Sequence, residues 1–260
     1  MPALGPGAVA ADHRLEQVAE IASTNATLLE RARAGERGPL WLVADTQVQG
    51  RGRNARHWVS PPGNLYASLL LSDPSPTAHI AELSFVASLA LRDAVLAAAG
   101  LSASDAIALK WPNDLMVEGC KSAGLLLEGG QAGGSAFVVA GFGVNIVSHP
   151  EGTTHRATHL RAAGYQLDRD RLFTALSDAV VQRLAQWNRG AHFDAIRHDW
   201  LAAAYGLGQP LRVATLEDSF EGLFEGVDPA GRLIAATPTG RRLVSAGDVF
   251  PLAPSGEPAV

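Results

Sequence analysis

Apolar positions along this chain follow two periods. Short apolar runs at 15–22, 40–45 and 64–72 have strand length, and the run at 40–45 is unbroken, as in a central strand buried on both faces. Between the first two, Ser23-Thr24-Asn25 is followed by ATLLERARAG. Ser23 or Thr24 reads as an N-cap and Gly35 as the residue past the helix end, so the triplet sits on a strand-to-helix turn. Over 80–99, Leu83, Val86, Ala87, Ala90, Leu91, Ala94 and Val95 keep a 3.6-residue period, and Gly100 ends the helix. Strand-like runs at 106–110, 115–118, 121–128 and 136–147 read as an antiparallel meander. Its turns fall at Trp111–Asp114, Gly119-Cys120 and Gly129–Gly134. Two amphipathic helices follow at 168–187 and 191–205. Past Gly206-Leu207-Gly208 the texture changes to short β-like runs at 211–215, 220–227, 232–237 and 243–245, the pattern of a small barrel. This divides the chain into a disordered N-terminus at 1–13, a main domain at 14–206 and a small domain at 207–254.

Composition narrows the classes. At 260 residues with 47% hydrophobic and 18% charged positions, the chain can bury a core without staples. A net charge of −5 argues against a general nucleic-acid coat, though not against a local cationic site. A single cysteine, Cys120, excludes an internal disulfide framework. No apolar run approaches a membrane span, and no signal-peptide pattern opens the chain. A soluble, cytoplasmic protein is expected. Of 21 lysines and arginines only Lys110 and Lys121 are lysine. Where arginine is the default cation, a retained lysine suggests a required compact charge.

Two stretches carry chemistry. In Gly50-Arg51-Gly52-Arg53-Asn54-Ala55-Arg56, three arginines are spaced by small residues. Glycine admits close backbone approach, and arginine suits phosphate and carboxylate. The loop reads as an anion-binding lid or, more plainly, as a solvated hairpin tip. The G-x-G-x-x-A spacing is not a dinucleotide fingerprint, because His57-Trp58-Val59-Ser60-Pro61-Pro62 cannot begin a helix. The second stretch is Lys110-Trp111-Pro112-Asn113-Asp114. There proline interrupts a strand and presents a carboxamide and a carboxylate at its end. Lys121 lies on the next strand. As separate features these are a turn and an edge lysine; together they suggest a site for phosphate, magnesium or an amine. The histidines show no metal spacing: His155 and His159 are four apart without a third ligand. Gly141-Phe142-Gly143 would let a ligand ring approach a strand, with Asn145 beyond it.

Four blocks in order resemble the biotin–protein ligases: Ser23-Thr24-Asn25; Gly50–Arg53 continuing through Trp58, Ser60-Pro61 and Gly63-Asn64-Leu65-Tyr66; Lys110–Asp114 with Lys121 and Gly124; and Gly141–Asn145. The resemblance spans about 15–250. It implies an α+β fold: a mixed, mainly antiparallel sheet flanked by helices, of the class II synthetase and biotinyl/lipoyl ligase type, then a small SH3-like β-barrel. It implies formation of biotinyl-5′-AMP from biotin and ATP with Mg2+, then transfer to a lysine of a biotin carboxyl carrier protein. Carried over by residue, Ser23, Thr24, Asn25 and Gln47 would bind the biotin head, with Gly124 beside it. Arg51, Gly52 and Arg53 would close over the carboxylate and phosphate, and Lys121 would bridge them. Arg53, Arg56, Trp58, Asn113 and Asn145 would hold the nucleotide, and Asp114 would orient the incoming lysine. Lys121, Arg53 and Asp114 are thus the catalytic candidates, and no protein-only metal site is expected. Asn54-Ala55 departs from the family loop, which usually has a basic or polar residue and then glycine. About a dozen residues precede the first strand, too few for the DNA-binding domain of some members, so no repressor role or nucleic-acid partner is expected. A lipoyl or octanoyl ligase, or a sensor without transfer activity, remains open, as does monomer against homodimer.

Overall fold

Ser23 ends one element and starts the next, and the site is built around that junction. The computed structural model describes residues 1–153 and 156–252. Strand β1 (Arg14–Ile21) leads into α2 (Thr24–Arg33), where the Ser23 hydroxyl accepts a hydrogen bond from the Ala26 amide at 3.4 Å. Gly35, with φ +99°, follows the helix end. Strand β2 (Leu40–Gln47) then runs parallel to β1, and β3 (Leu65–Ser72) runs antiparallel to β2. After helix α3 (Leu83–Ala99) comes the meander β4 (Ile107–Lys110), β5 (Asp114–Val117), β6 (Cys120–Ala132) and β7 (Ser135–Val144). The seven strands order as β1-β2-β3-β7-β6-β5-β4.

The expected sheet is therefore present, with differences of position. β2 is second from the edge, and β7 holds the centre. The unbroken apolar run of β2 is explained by cover on both faces. Trp41 and Val43 enter the core under α3 and α4 (Arg169–Trp187), while Leu40 and Leu42 pack with Leu28, Leu29 and Ala32 of α2. The turn expected at 129–134 is only Gly133-Gly134, because β6 continues to Ala132. The helix expected from 80 begins as a 3-10 turn, Thr77–Glu82, before α3. That expected from 191 becomes α5 (Phe193–Ala202), after a second 3-10 turn.

The N-terminal stretch expected to be disordered contains a short helix, α1 (Pro6–Ala10), with Ala8 fully buried. It docks on α4: the Gly5 amide donates to Ser177 Oγ at 2.9 Å and the Ala8 amide to Asp178 Oδ1 at 3.0 Å. A Cβ on Gly5 would fall 2.2 Å from the Asp178 carboxyl, so a side chain there would displace the carboxylate that holds the Ala8 amide. Small, helix-neutral residues carry no local signal for such docking; the partner lies some 170 positions away.

The C-terminal sheet has five strands, β8 (Pro210–Ala214), β9 (Ser219–Val227), β10 (Leu233–Thr237), β11 (Gly240–Val244) and β12 (Asp248–Pro251), in the order β11-β10-β9-β8-β12. The last of these was not expected from its sequence. Residues 253 and 254, assigned to this domain, lie outside the described residues. Leu211, Val213, Phe224 and Leu233 join the same core as α3 and β4. Strand β12 is thereby held against the end of β4, where the cleft opens.

Candidate active site

One cleft of about 310 Å³ is lined by every site residue expected from sequence. At its inner end, α2 delivers Thr24 and Asn25, both buried. The Thr24 amide and hydroxyl both reach Gln47 Oε1, at 2.9 and 3.1 Å, and Gln47 Nε2 donates to Ser60 Oγ at 3.1 Å. Asn25 Nδ2 donates to Leu126 O and to Glu128 Oε2, each at 3.1 Å, while its Oδ1 accepts from Ser68 Oγ at 2.7 Å. Each carboxamide thus has a fixed orientation. This preorganised set of donors and acceptors suits a compact polar head group.

Across the mouth lies the arginine loop. Arg51 and His57 bridge as an antiparallel pair, and the Gly52 amide donates to Arg56 O at 2.8 Å, so the loop is a tight hairpin tip. Asn54 and Ala55 take φ of 54° and 56°. For alanine the left-handed region costs about 1–2 kcal/mol, which the family glycine would avoid. Arg51 Nη2 pairs with Glu128 Oε1 at 2.9 Å. Arg53 Nη1 reaches Asn113 Oδ1 at 3.3 Å and Gly247 O at 3.4 Å, and Arg56 pairs with Asp248. The loop is therefore latched partly on the C-terminal sheet.

Between loop and inner end stands the lysine–aspartate cluster. β4 and β5 form a hairpin around Trp111-Pro112-Asn113, with a cis Trp111–Pro112 bond, and this sets Lys110 opposite Asp114. A bulge between Leu115 and Met116 shifts the β5–β6 register, so Lys121 pairs with Met116 yet points to Asp114. Lys121 Nζ lies 2.6 Å from Asp114 Oδ1, and Lys110 Nζ lies 3.3 Å from Asp114 Oδ2. Burial opposes ionisation of Asp114, but the charges of Lys121 and then Lys110 outweigh it and hold the carboxyl below its usual range. Burial pulls Lys110 down from the ordinary lysine value, with Asp114 opposing.

At the outer end, Trp58 lies over β6 and β7. A Cβ on Gly143 would fall 2.6 Å from its ring, and one on Gly124 would fall 3.1 Å from the ring and 3.4 Å from Lys121 Nζ. A Cβ on Gly141 would fall 2.3 Å from Asn25 Oδ1. The Gly-Phe-Gly stretch, expected to admit a ligand ring, thus first makes room for the chain's own Asn25 and Trp58. Lys121 Nζ sits 5.6 Å from the Trp58 ring centre. Asn145 is just past the end of β7, and its Nδ2 donates to Thr158 O at 3.2 Å. Two buried polar atoms of this end, Trp58 Nε1 and Asn145 Oδ1, have no hydrogen-bond partner among the described residues. Such orphans inside a cleft point to a ligand that supplies the partner.

Sequence reading missed Ser68 and Glu128, which tie Asn25 in place, and Gly247-Asp248, which meet the loop. Ser68 is a polar residue in the middle of a mostly apolar strand, a signal available in retrospect; Asp248 carries none. His159 contacts His149 at 2.8 Å between Nδ1 atoms, and its supposed companion His155 lies outside the described residues.

Comparison with known proteins adds the following. Residues 18–145 match the biotin/lipoate A/B protein ligase family, and residues 206–250 match the biotin protein ligase C terminal domain. The chain is 39% identical over 235 residues to a biotin--[acetyl-CoA-carboxylase] ligase of Paracoccus denitrificans, covering 88% of this chain and 96% of its relative. It is 34% identical over 254 residues to the same-named ligase of Mycobacterium tuberculosis, covering 95% and 92%. Its fold resembles the biotin protein ligase of Aquifex aeolicus solved with biotin and ATP, at a TM-score of 0.77, 25% identity, and coverage of 92% and 98%.

Proposed function

The chain belongs to the biotin/lipoate A/B protein ligase family, and from that premise we propose that its cleft activates biotin with ATP and passes the biotinyl group to a lysine of a biotin carboxyl carrier protein. In the first step a biotin carboxylate oxygen attacks the α-phosphorus of ATP. The bond to the β-phosphate breaks, and pyrophosphate leaves with its electron pair. Two anions must meet, and the cations of this cleft offset their repulsion. Lys121 stands between the head-group end and the nucleotide end, able to turn from Asp114 to the forming acyl phosphate. Arg51 and Arg53 close over it, exchanging Glu128 and Gly247 for substrate oxygens. Thr24, Asn25 and Gln47, with Ser23 at the helix cap, take the ureido head. Asn145 Oδ1 and Trp58 take the base, with Arg56 and Asn113 toward the phosphates.

In the second step the amine of the carrier lysine attacks the acyl carbon. The acyl C–O bond breaks, AMP leaves with the electron pair, and Asp114 accepts the amine proton. Among the described residues no three His, Cys, Asp or Glu side chains gather to hold a metal. Mg2+ would accompany the ATP phosphates and offset their charge, as a hard cation that keeps several waters.

The observation that carries this reading is the pair of orphaned polar atoms at one end of a cleft whose other end is a satisfied head-group site, with Lys121 between them. Lipoate fits less well. Its dithiolane has no donor or acceptor to exchange for the contacts that Thr24 and Asn25 make with Gln47 and Ser68. The test is ATP-dependent transfer of biotin to a purified carrier domain, read by mass, with lipoate offered in parallel. A mass gain of one biotin is expected. No gain from a folded enzyme, or preference for lipoate, would overturn the reading.

A further inference from the structure

Lys110 is the other lysine of the chain, and the reaction just described does not use it. Its side chain is 5% exposed against 25% for Lys121. Its ammonium lies 3.3 Å from Asp114 Oδ2 and donates to Val249 O of β12 at 3.0 Å. Asp114, itself 7% exposed, is thus held between one dry ammonium and one at the cleft wall. Two further charges bear on Lys110: Lys121, which opposes its protonation, and Asp248 on β12, which favours it.

A purely structural role explains this poorly. Isolating two charges from water is costly, and apolar residues of equal volume commonly replace such a pair without loss of stability. Nor is Lys110 the chain's default cation, since arginine fills nineteen of the twenty-one positions. What the pair supplies is persistence. When Lys121 turns to substrate, Asp114 loses its nearer counter-charge while remaining buried. Lys110 cannot follow, because β12 holds it.

We infer that Lys110 is a positioning residue for the transfer step: its buried ammonium, anchored on Val249, keeps the Asp114 carboxylate anionic and aimed while Lys121 is engaged by the adenylate. The inference rests on the two-step reading above. Without Lys110, burial would favour the protonated acid, which cannot accept the amine proton. The two ammoniums hold Asp114 below its usual range, so the carboxylate form, and with it transfer, is lost only as pH falls through that lowered value. Removing Lys110 moves that loss to higher pH.

The test compares wild type, Lys110→Met, Lys110→Arg and Asp114→Asn in two separate assays from about pH 3.5 to 9, a span that reaches the ordinary carboxylate range. One measures biotin-dependent ATP–pyrophosphate exchange. The other measures single-turnover transfer from synthetic biotinyl-5′-AMP to the carrier domain. In Lys110→Met, transfer is expected to fall further than exchange, with its acid limb displaced upward and a loss of about tenfold per unit of displacement. Lys110→Arg, which keeps the charge, should restore part of the position of that limb. Equal loss in both assays, or an acid limb that does not move, overturns the inference. If Lys110→Met does not fold, Asp114→Asn/Lys110→Met removes the stranded carboxylate and decides the matter. Its transfer rate should match Asp114→Asn alone, and a further tenfold loss overturns the inference. If wild type makes no biotinyl adenylate, the two-step reading fails instead, and the transfer assay from synthetic adenylate still reports on Lys110.

Discussion

Lys121 shows what a single residue type can say. In a chain whose cations are otherwise arginine, two lysines eleven positions apart pointed to one site, and from β4 and β6, on either side of β5, they share one carboxylate in the structure. Arginine at 121 would bring a wide planar fork where lysine brings a compact ammonium, beside the bare backbone of Gly124. Lys121→Ala is expected to slow pyrophosphate exchange about a hundred- to thousand-fold, the usual effect of removing one preorganised charge. The fold should survive, since Lys110 still faces Asp114. Exchange at the wild-type rate, or loss of the cooperative thermal transition, would refute this. Ala55 is the contrary case. Its left-handed backbone is legible only in the structure, although its departure from the family glycine was visible beforehand.

At the scale of elements, β7 explains why a strand carries two glycines in its central position. Strand interiors ordinarily lose stability to glycine. Here Gly141 and Gly143 face the cleft, where Asn25 and Trp58 take the space of the missing side chains. Gly143→Ala should displace the Trp58 ring and with it Lys121, which borders the same ring. ATP binding measured by calorimetry is expected to weaken at least about tenfold, in line with the cost of overpacking a fitted site. An unchanged affinity would mean that Trp58 has no part in holding the nucleotide. The β5–β6 bulge belongs to this scale too. A regular ladder would place Lys121 one residue out of register, and the period of two would turn it to the opposite face.

At the scale of the whole molecule, the C-terminal sheet borders the site. Three successive residues, Gly247, Asp248 and Val249, meet Arg53, Arg56 and Lys110. The arginine loop is therefore held by a unit nearly 200 positions distant in sequence. Asp248→Ala should release it, so that trypsin cleaves after Arg53 and Arg56 several-fold faster than in wild type, with biotin plus ATP restoring protection. Cleavage at an unaltered rate would show that the latch on Asp248 contributes nothing to loop order. No helix is long and apolar enough to cross a membrane among the described residues.

The sequence by itself determined the order and type of most elements, because period and capping are local properties of neighbouring residues. It also placed the two charged motifs at strand ends, because proline and glycine constrain their own backbone. The tertiary structure alone decided that α1 docks, that β2 is not central, and that Ser68, Glu128 and Asp248 belong to the cleft. Each of these depends on a partner far along the chain, and long-range contact leaves no periodic trace in a single sequence. The sharing of Asp114 between Lys110 and Lys121 lies between the two. Spacing suggested it, but only the hairpin and its bulge aim both ammoniums at one carboxylate.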